Sequence, residues 1–268
     1  MLLKESIFQW LRVLAGTTIV LVNLISPSVS LLPSQVEEIA RQSTARIYVH
    51  EGAIIGIETA GSVVLIARKG NTYYGVTNAH VVQDRGDYFT LFTRDGQKHH
   101  VEANQVKPLP NVDMAVVRFT SDHDYPLLQL GNSDSVQIGQ TIYLTGWLGG
   151  IMLYCSDGKL LDQSSQLTSS GFGLAYSNVS GKGMSGGSVL DEEGRLIGIH
   201  SARGTLTSSS NPDSSVTVGL GIPINTLILL APQAGLDPEL IDILNSTPGT
   251  VKPSNPERKP AIQTHSNP

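Results

Sequence analysis

The sequence predicts an all-β fold of the sandwich or barrel type, on three observations. Short apolar runs recur along most of the chain, each ended by Gly, Asn, Asp or Pro rather than extended at a helical period. Glycine and proline number 27 and 14 among 268 residues, as a fold with many tight turns requires. Apolar residues make up 40% of the chain and charged residues only 15%, so the chain can bury a large core instead of remaining disordered.

The amino terminus carries Lys4 and Arg12 and then the apolar run from Val13 to Ile25. That run is short for a membrane span and suits a signal-peptide core, with Ser28-Val29-Ser30 offering small residues for cleavage near residue 30. The competing reading is an uncleaved anchor that begins at Ile7. Residues 33–42 form the first expected helix, with Pro33 or Ser34 at its start. Strands follow at 62–67, 73–78, 88–93, 98–104 and 114–119, turned at Lys69-Gly70-Asn71 and Arg94-Asp95-Gly96-Gln97. A second series lies at 141–146, 171–177, 188–191, 195–201 and 215–222, with Glu192-Glu193-Gly194 as one hairpin turn. Helices are expected over 223–230 and 238–244, and the Pro-, Ser- and Thr-rich residues 246–268 as a disordered tail. The implied division is a lobe over 43–125, a linker, and a second lobe over 135–225 followed by helices to about residue 245.

Three segments carry chemistry. Lys182-Gly183-Met184-Ser185-Gly186-Gly187 sets one serine among glycines ahead of an apolar strand. Thr77-Asn78-Ala79-His80 supplies a histidine after a strand, and Val112-Asp113-Met114-Ala115 an aspartate against one. A serine hydroxyl is a weak nucleophile until a base takes its proton, and the base needs a carboxylate to hold its tautomer and stabilise the imidazolium. His80, Asp113 and Ser185 can fill these three roles. An unpaired carboxylate at Asp113 would be costly to bury, and a histidine partner gives it a reason. The serine segment also satisfies G-x-S-x-G, the nucleophile elbow of esterases. That elbow needs a helix after the serine and the chain order Ser, acid, His. Here strand, turn and strand follow, and the only later histidines are His200 and His265.

In this order, at spacings of 33 and 72 residues, and with Arg195-Leu196-Ile197-Gly198-Ile199-His200 downstream, the segments resemble the trypsin-like serine peptidase superfamily, especially its bacterial, disulfide-free members. The likeness covers roughly residues 45–230. It implies two packed six-stranded antiparallel β-barrels with the active site in the cleft between them, His80 and Asp113 from the first and Ser185 from the second. It implies that the Gly183 and Ser185 amides form the oxyanion hole. It implies hydrolysis of peptide bonds in protein or peptide substrates without a cofactor. Digestive members carry an aspartate where Met184 stands, paired with a new amino terminus, and a methionine cannot make that ion pair. Ser180 and His200 match positions that glutamyl endopeptidases use for an acidic side chain. With Ser201 they make up a candidate substrate pocket, and cleavage after Glu or Asp is the corresponding expectation. The competing reading leaves Ser180 an ordinary loop serine and His200 a strand residue.

The remaining features exclude other classes. A net charge of −5, or −6 once Lys4, Arg12 and Glu5 are removed to leave 16 basic and 22 acidic residues, argues against nucleic acid. His99-His100 is the only adjacent histidine pair, and adjacent strand residues point to opposite faces, so no metal site is expected. One cysteine, Cys155, allows no intrachain disulfide and reads as a small apolar side chain. An exported chain without disulfides suggests a bacterial protein of the periplasm or exterior. Nothing after residue 30 reads as a membrane domain, no peptide-binding module is expected after Pro223, and nothing sets an oligomeric state. The second function class is a catalytically silent peptide-binding protein on the same fold, whose signature would be a missing triad member or altered oxyanion glycines.

Overall fold

The computed structural model describes residues 30–50, 60–82, 88–163, 171–207, 215–234 and 236–246. Apart from Ser30 and Ser246, the expected signal segment and tail lie outside the described residues. The chain opens with helix α1 (Pro33–Ser43) and strands β1 (Thr44–His50), β2 (Ala60–Lys69) and β3 (Thr72–Thr77). The single turn α2 (Ala79–Val82) and strands β4 (Tyr88–Phe92), β5 (Lys98–Glu102), β6 (Val106–Pro108) and β7 (Ala115–Thr120) complete the first lobe. The second lobe comprises β8 (Thr141–Leu148), β9 (Met152–Gln163), β10 (Leu174–Tyr176), β11 (Ser188–Leu190), β12 (Leu196–Thr207) and β13 (Ser215–Pro223). Helices α3 (Asn225–Leu230) and α4 (Pro238–Ser246) follow.

The first lobe is a seven-stranded antiparallel sheet in the order β5-β4-β1-β2-β3-β7-β6, and β5 packs back against β7 to curl it. The second is a closed six-stranded barrel, β10-β13-β12-β11-β8-β9. The two-barrel expectation is met, with one additional short strand, β6, in the first lobe. Each of the ten expected strands has a counterpart, and β1, β6 and β9 are further strands. β1 does alternate cleanly, with Ala45, Ile47 and Val49 buried and Arg46 and Tyr48 on the other face. β9 is polar and carries Gly158, so its sequence reads more like a loop.

Each lobe has its own core, built around Tyr73, Leu91 and Phe119 in the first and Ile142, Leu144 and Tyr176 in the second. A third apolar cluster joins them. It brings Val64 and Met114 from the first lobe against Leu190 and Ile199 from the second, and α1 caps it with Val36 and Ala40. Met184 is fully buried in the second barrel. Cys155, on β9, is partly buried beside the Thr145 hydroxyl at 2.9 Å, and burial pushes its thiol pKa up.

His200 lies on β12, only 2% exposed. Its Nδ1 is 2.7 Å from the Tyr176 hydroxyl, and the ring also hydrogen-bonds the Leu220 backbone. Burial pushes the Tyr176 pKa well above its ordinary value, so the phenol keeps its proton and donates to Nδ1. Burial first, and the nearby His80 second, push the His200 pKa down to about 4, so the imidazole is neutral.

A neutral buried imidazole makes stability depend on pH with a definite sign. Between about pH 6.5 and 4 the unfolded chain binds a proton at His200 that the folded chain refuses, so stability falls as pH falls through that window and levels off below it. The fall from this group amounts to roughly 3 kcal/mol. In urea titrations, the stability difference between the parent and His200→Gln, which can still accept from Tyr176, should be constant above pH 6.5 and move against the parent toward pH 4. Parallel profiles would show that His200 is not held neutral.

Candidate active site

Asp113 and His80 are brought together by two loops at the ends of adjacent strands of the first lobe. β3 ends at Thr77, and His80 follows in the single turn α2, anchored by the buried Val81 and Val82. Asp113 precedes β7, the neighbour of β3. Its loop turns at Asn111, which takes φ of 59°, a left-handed conformation that Asn tolerates. The Asn78 side-chain amide donates to the Asp113 carbonyl at 2.8 Å and ties the two loops together.

Asp113 grips His80 twice. Oδ1 accepts the His80 backbone N–H at 2.8 Å, and Oδ2 lies 2.7 Å from Nδ1. With the proton of the neutral ring held on Nδ1 by the carboxylate, Nε2 carries the free lone pair. The Ser201 hydroxyl donates to the same Oδ2. The Asp113 side chain is 18% exposed and that of His80 48%, so the carboxylate is sheltered while the imidazole is open to solvent.

Ser185 sits at the mouth of the second barrel, between the buried Met184 and strand β11. Backbone hydrogen bonds fix its loop. The Ser62 N–H donates to the Ser185 carbonyl at 2.7 Å, the Gly186 N–H to the His200 carbonyl at 2.9 Å, and the His200 N–H to the Gly187 carbonyl at 2.9 Å. Gly186 has φ of +85°, and a Cβ there would stand 2.0 Å from the Ser62 carbonyl oxygen, so no side chain fits. Gly183 has φ of +86°, and its carbonyl accepts from the Ser62 hydroxyl at 3.0 Å. Among the described residues, the Gly183 and Ser185 N–H groups donate to no backbone carbonyl. Both remain available for an anionic oxygen, the chemistry an oxyanion hole requires.

The Ser185 hydroxyl donates to the Ser201 carbonyl at 3.1 Å. Ser201 therefore touches two members of the constellation, Asp113 through its hydroxyl and Ser185 through its carbonyl. Sequence reasoning had put Ser201 only in the substrate pocket. Its side chain instead completes the hydrogen bonding of Asp113, a role that no local pattern in the sequence signals.

Of the other pocket residues, Ser180 is 8% exposed, and its hydroxyl has no hydrogen-bond partner among the described residues. His200, which matches a position that glutamyl endopeptidases use for an acidic side chain, brings no positive charge to it. Its ring is neutral, and Tyr176 and Leu220 occupy it. Arg203 is exposed on β12, close enough to His200 to help depress its pKa.

Residues 61–199, just over half the chain, match the family model for the trypsin-like peptidase domain. The chain is 28% identical over 183 residues to the serine protease Do-like HtrA of Lactococcus lactis subsp. cremoris, covering 64% of this chain and 44% of that protein. It is 29% identical over 181 residues to a probable periplasmic serine endoprotease DegP-like of Buchnera aphidicola subsp. Baizongia pistaciae, covering 65% of this chain and 36% of that one. The chain thus spans less than half the length of these relatives. Two solved structures share the fold. The HtrA-type protease AlgW with tripeptide matches with a TM-score of 0.58 and 24% identity, over 75% of this chain and 62% of that one. The serine endoprotease from Yersinia pestis matches with a TM-score of 0.58 and 19% identity, over 77% and 67%. Barrel architecture, constellation and family match agree: the chain belongs to the trypsin-like peptidase domain family.

Proposed function

We propose that the protein is a serine endopeptidase that uses Ser185 as nucleophile, His80 as general base and acid, and Asp113 to orient and stabilise His80. The observation that carries this reading is the double grip of Asp113 on His80, facing a serine loop whose Gly183 and Ser185 amides are unspent. The names of the relatives, serine protease and serine endoprotease, support it.

The reaction requires the Ser185 hydroxyl to leave the Ser201 carbonyl by rotation about χ1 and meet His80 Nε2. Nε2 takes the hydroxyl proton as Oγ bonds to the scissile carbonyl carbon, and the carbonyl electron pair moves onto its oxygen. The Gly183 and Ser185 amides stabilise that oxyanion. Collapse of the tetrahedral intermediate breaks the C–N bond, and the departing amine takes the proton from His80. Water then repeats the sequence on the acyl-enzyme, releasing the acid and restoring Ser185. The Asp113 carboxylate balances the imidazolium.

A narrower reading, cleavage after Glu or Asp, is supported by the buried Ser180 hydroxyl, unpaired among the described residues, and the exposed Arg203 charge. In this reading the hydroxyl meets the substrate carboxylate and Arg203 attracts it, while His200 contributes shape and not charge. We also read the chain as exported, from its basic-then-apolar amino terminus and from relatives named periplasmic. Among the described residues no helix is long and apolar enough to cross a membrane.

A fluorophosphonate should label the parent protein and not Ser185→Ala; equal labelling of both would mean another nucleophile, and labelling of neither would favour a silent binding protein. Asp113→Asn should lower kcat on a peptide substrate by about 10⁴, because the wrong His80 tautomer becomes available. Since Met184 is packed into the barrel core, residues 31–268 bearing an extra amino-terminal tag should be active without internal cleavage. Activity that appears only after such a cleavage would refute this. Profiling on a peptide library should place Glu or Asp before the cut; equal cleavage after Arg or Leu would remove the acidic preference.

A further inference from the structure

Two side chains of the first lobe reach across to the turn of the second that lies beneath Gly183, without touching His80, Asp113 or Ser185. Arg46 and Tyr48 stand two apart on β1, so they share its outward face. Arg46 Nη1 donates to the Gly150 carbonyl at 3.0 Å, and the Tyr48 hydroxyl donates to the same oxygen at 2.7 Å. The Arg46 guanidinium also lies over the rings of Tyr48, Phe92 and Trp147, 5.5, 4.7 and 5.1 Å from their centroids. Among the described residues it pairs with no carboxylate, so its charge is directed at one carbonyl and three aromatic faces.

Gly150 lies in the turn between β8 and β9, where Gly149 and Gly150 take φ of 62° and 70° in succession. This turn is the floor beneath Gly183. A Cβ on Gly183 would meet the Trp147 carbonyl oxygen at 2.5 Å and the Gly150 nitrogen at 2.9 Å. The turn also holds the neighbouring peptide, because the Gly149 N–H donates to the Lys182 carbonyl at 2.7 Å. That carbonyl and the Gly183 N–H belong to one planar trans peptide and point in opposite directions. Fixing the carbonyl against Gly149 therefore aims the Gly183 N–H the other way. Free rotation of that peptide would remove one of the two oxyanion donors.

We propose that Arg46 and Tyr48 are positioning residues for the oxyanion hole: by clamping the Gly150 carbonyl they fix the β8–β9 turn, and through Gly149 they hold the Lys182–Gly183 peptide with its N–H toward the substrate oxygen. The assignment rests on the peptidase reading above. It adds a dependence of second-lobe chemistry on a first-lobe strand.

The test uses the full chain and the variants Arg46→Met, Arg46→Lys, Tyr48→Phe and Arg46→Met/Tyr48→Phe. Three quantities are measured: the fluorophosphonate labelling rate, kcat and KM on fluorescent casein, and the thermal midpoint. The double variant should lose about 10² in kcat and in labelling rate, the scale of one missing oxyanion donor, with KM and the midpoint little changed. Arg46→Lys, which can still donate to Gly150, should retain most of the rate. A double variant that reacts at the parent rate, or that changes KM alone, overturns the assignment. So does a rate loss that merely follows the fraction of unfolded protein. Should the double variant not fold, Tyr48→Phe alone removes one hydroxyl and should still lower kcat several-fold at an unchanged midpoint; a parent-like kcat there overturns it. A parent protein labelled no faster than Ser185→Ala would instead overturn the peptidase reading, and the positioning role with it.

Discussion

The seating of the Ser185 loop on Ser62 is the constraint on which the rest of the site depends. Ser62 is fully buried on β2 of the first lobe, and all its polar groups are used between the lobes or at the cleft edge. Its N–H holds the Ser185 carbonyl at 2.7 Å, and its carbonyl accepts from the Thr77 hydroxyl at 2.7 Å. Its hydroxyl donates to the Gly183 carbonyl at 3.0 Å and accepts the Trp147 N–H at 2.8 Å. One residue thus links the strand that ends before His80, the Ser185 loop and the end of β8. In a buried setting each such bond is expensive to leave unmade, so the lobes cannot slide without stranding several polar groups at once.

That seating explains why the loop around Ser185 is glycine-rich on physical grounds. Gly186 carries its hydrogen atoms where a side chain would strike the Ser62 carbonyl and the Thr77 hydroxyl. Gly183 is enclosed by Trp147 and Gly150 in the same manner. The positive φ of Gly186 comes from backbone packed across the lobe boundary, and that of Gly183 from packing on the β8–β9 turn of its own lobe. The apolar cluster shared by Val64, Met114, Leu190 and Ile199 supplies the surrounding adhesion. It is non-directional, and the hydrogen bonds of Ser62 give the contact its register.

Much of this was legible in the sequence, and the remainder was not for identifiable reasons. His80, Asp113 and Ser185 were readable as a candidate site because each stands in a short local pattern, and the strands because apolar runs and turn residues alternate. The closed second barrel contains one strand, β9, that was not anticipated, since its polar residues and Gly158 hide the pairing that β8 imposes along its whole length. Arg46, Tyr48 and Ser62 gave no signal because their partners are backbone carbonyls and amides far away in sequence. The state of His200 was hidden as well. Its match to a position that glutamyl endopeptidases use for an acidic side chain says nothing of its charge, and only the fold brings Tyr176 to its Nδ1 and removes it from water.

The same burial decides what kind of selectivity the second barrel can offer. A protonated imidazole would attract a substrate carboxylate strongly, yet desolvation has already pushed the His200 pKa to about 4, below the pH at which most enzymes work. Bringing a carboxylate close would favour the charged ring, but Tyr176 donates to Nδ1 and the Leu220 backbone also engages the ring, so a substrate must displace one of these partners to gain its own bond. The Ser180 hydroxyl has no such commitment among the described residues. Any acidic preference would therefore arise from a neutral donor at Ser180 and from the exposed, salt-screened charge of Arg203. Both effects are modest beside a buried ion pair, so selectivity built this way would be graded in strength and would weaken as ionic strength rises.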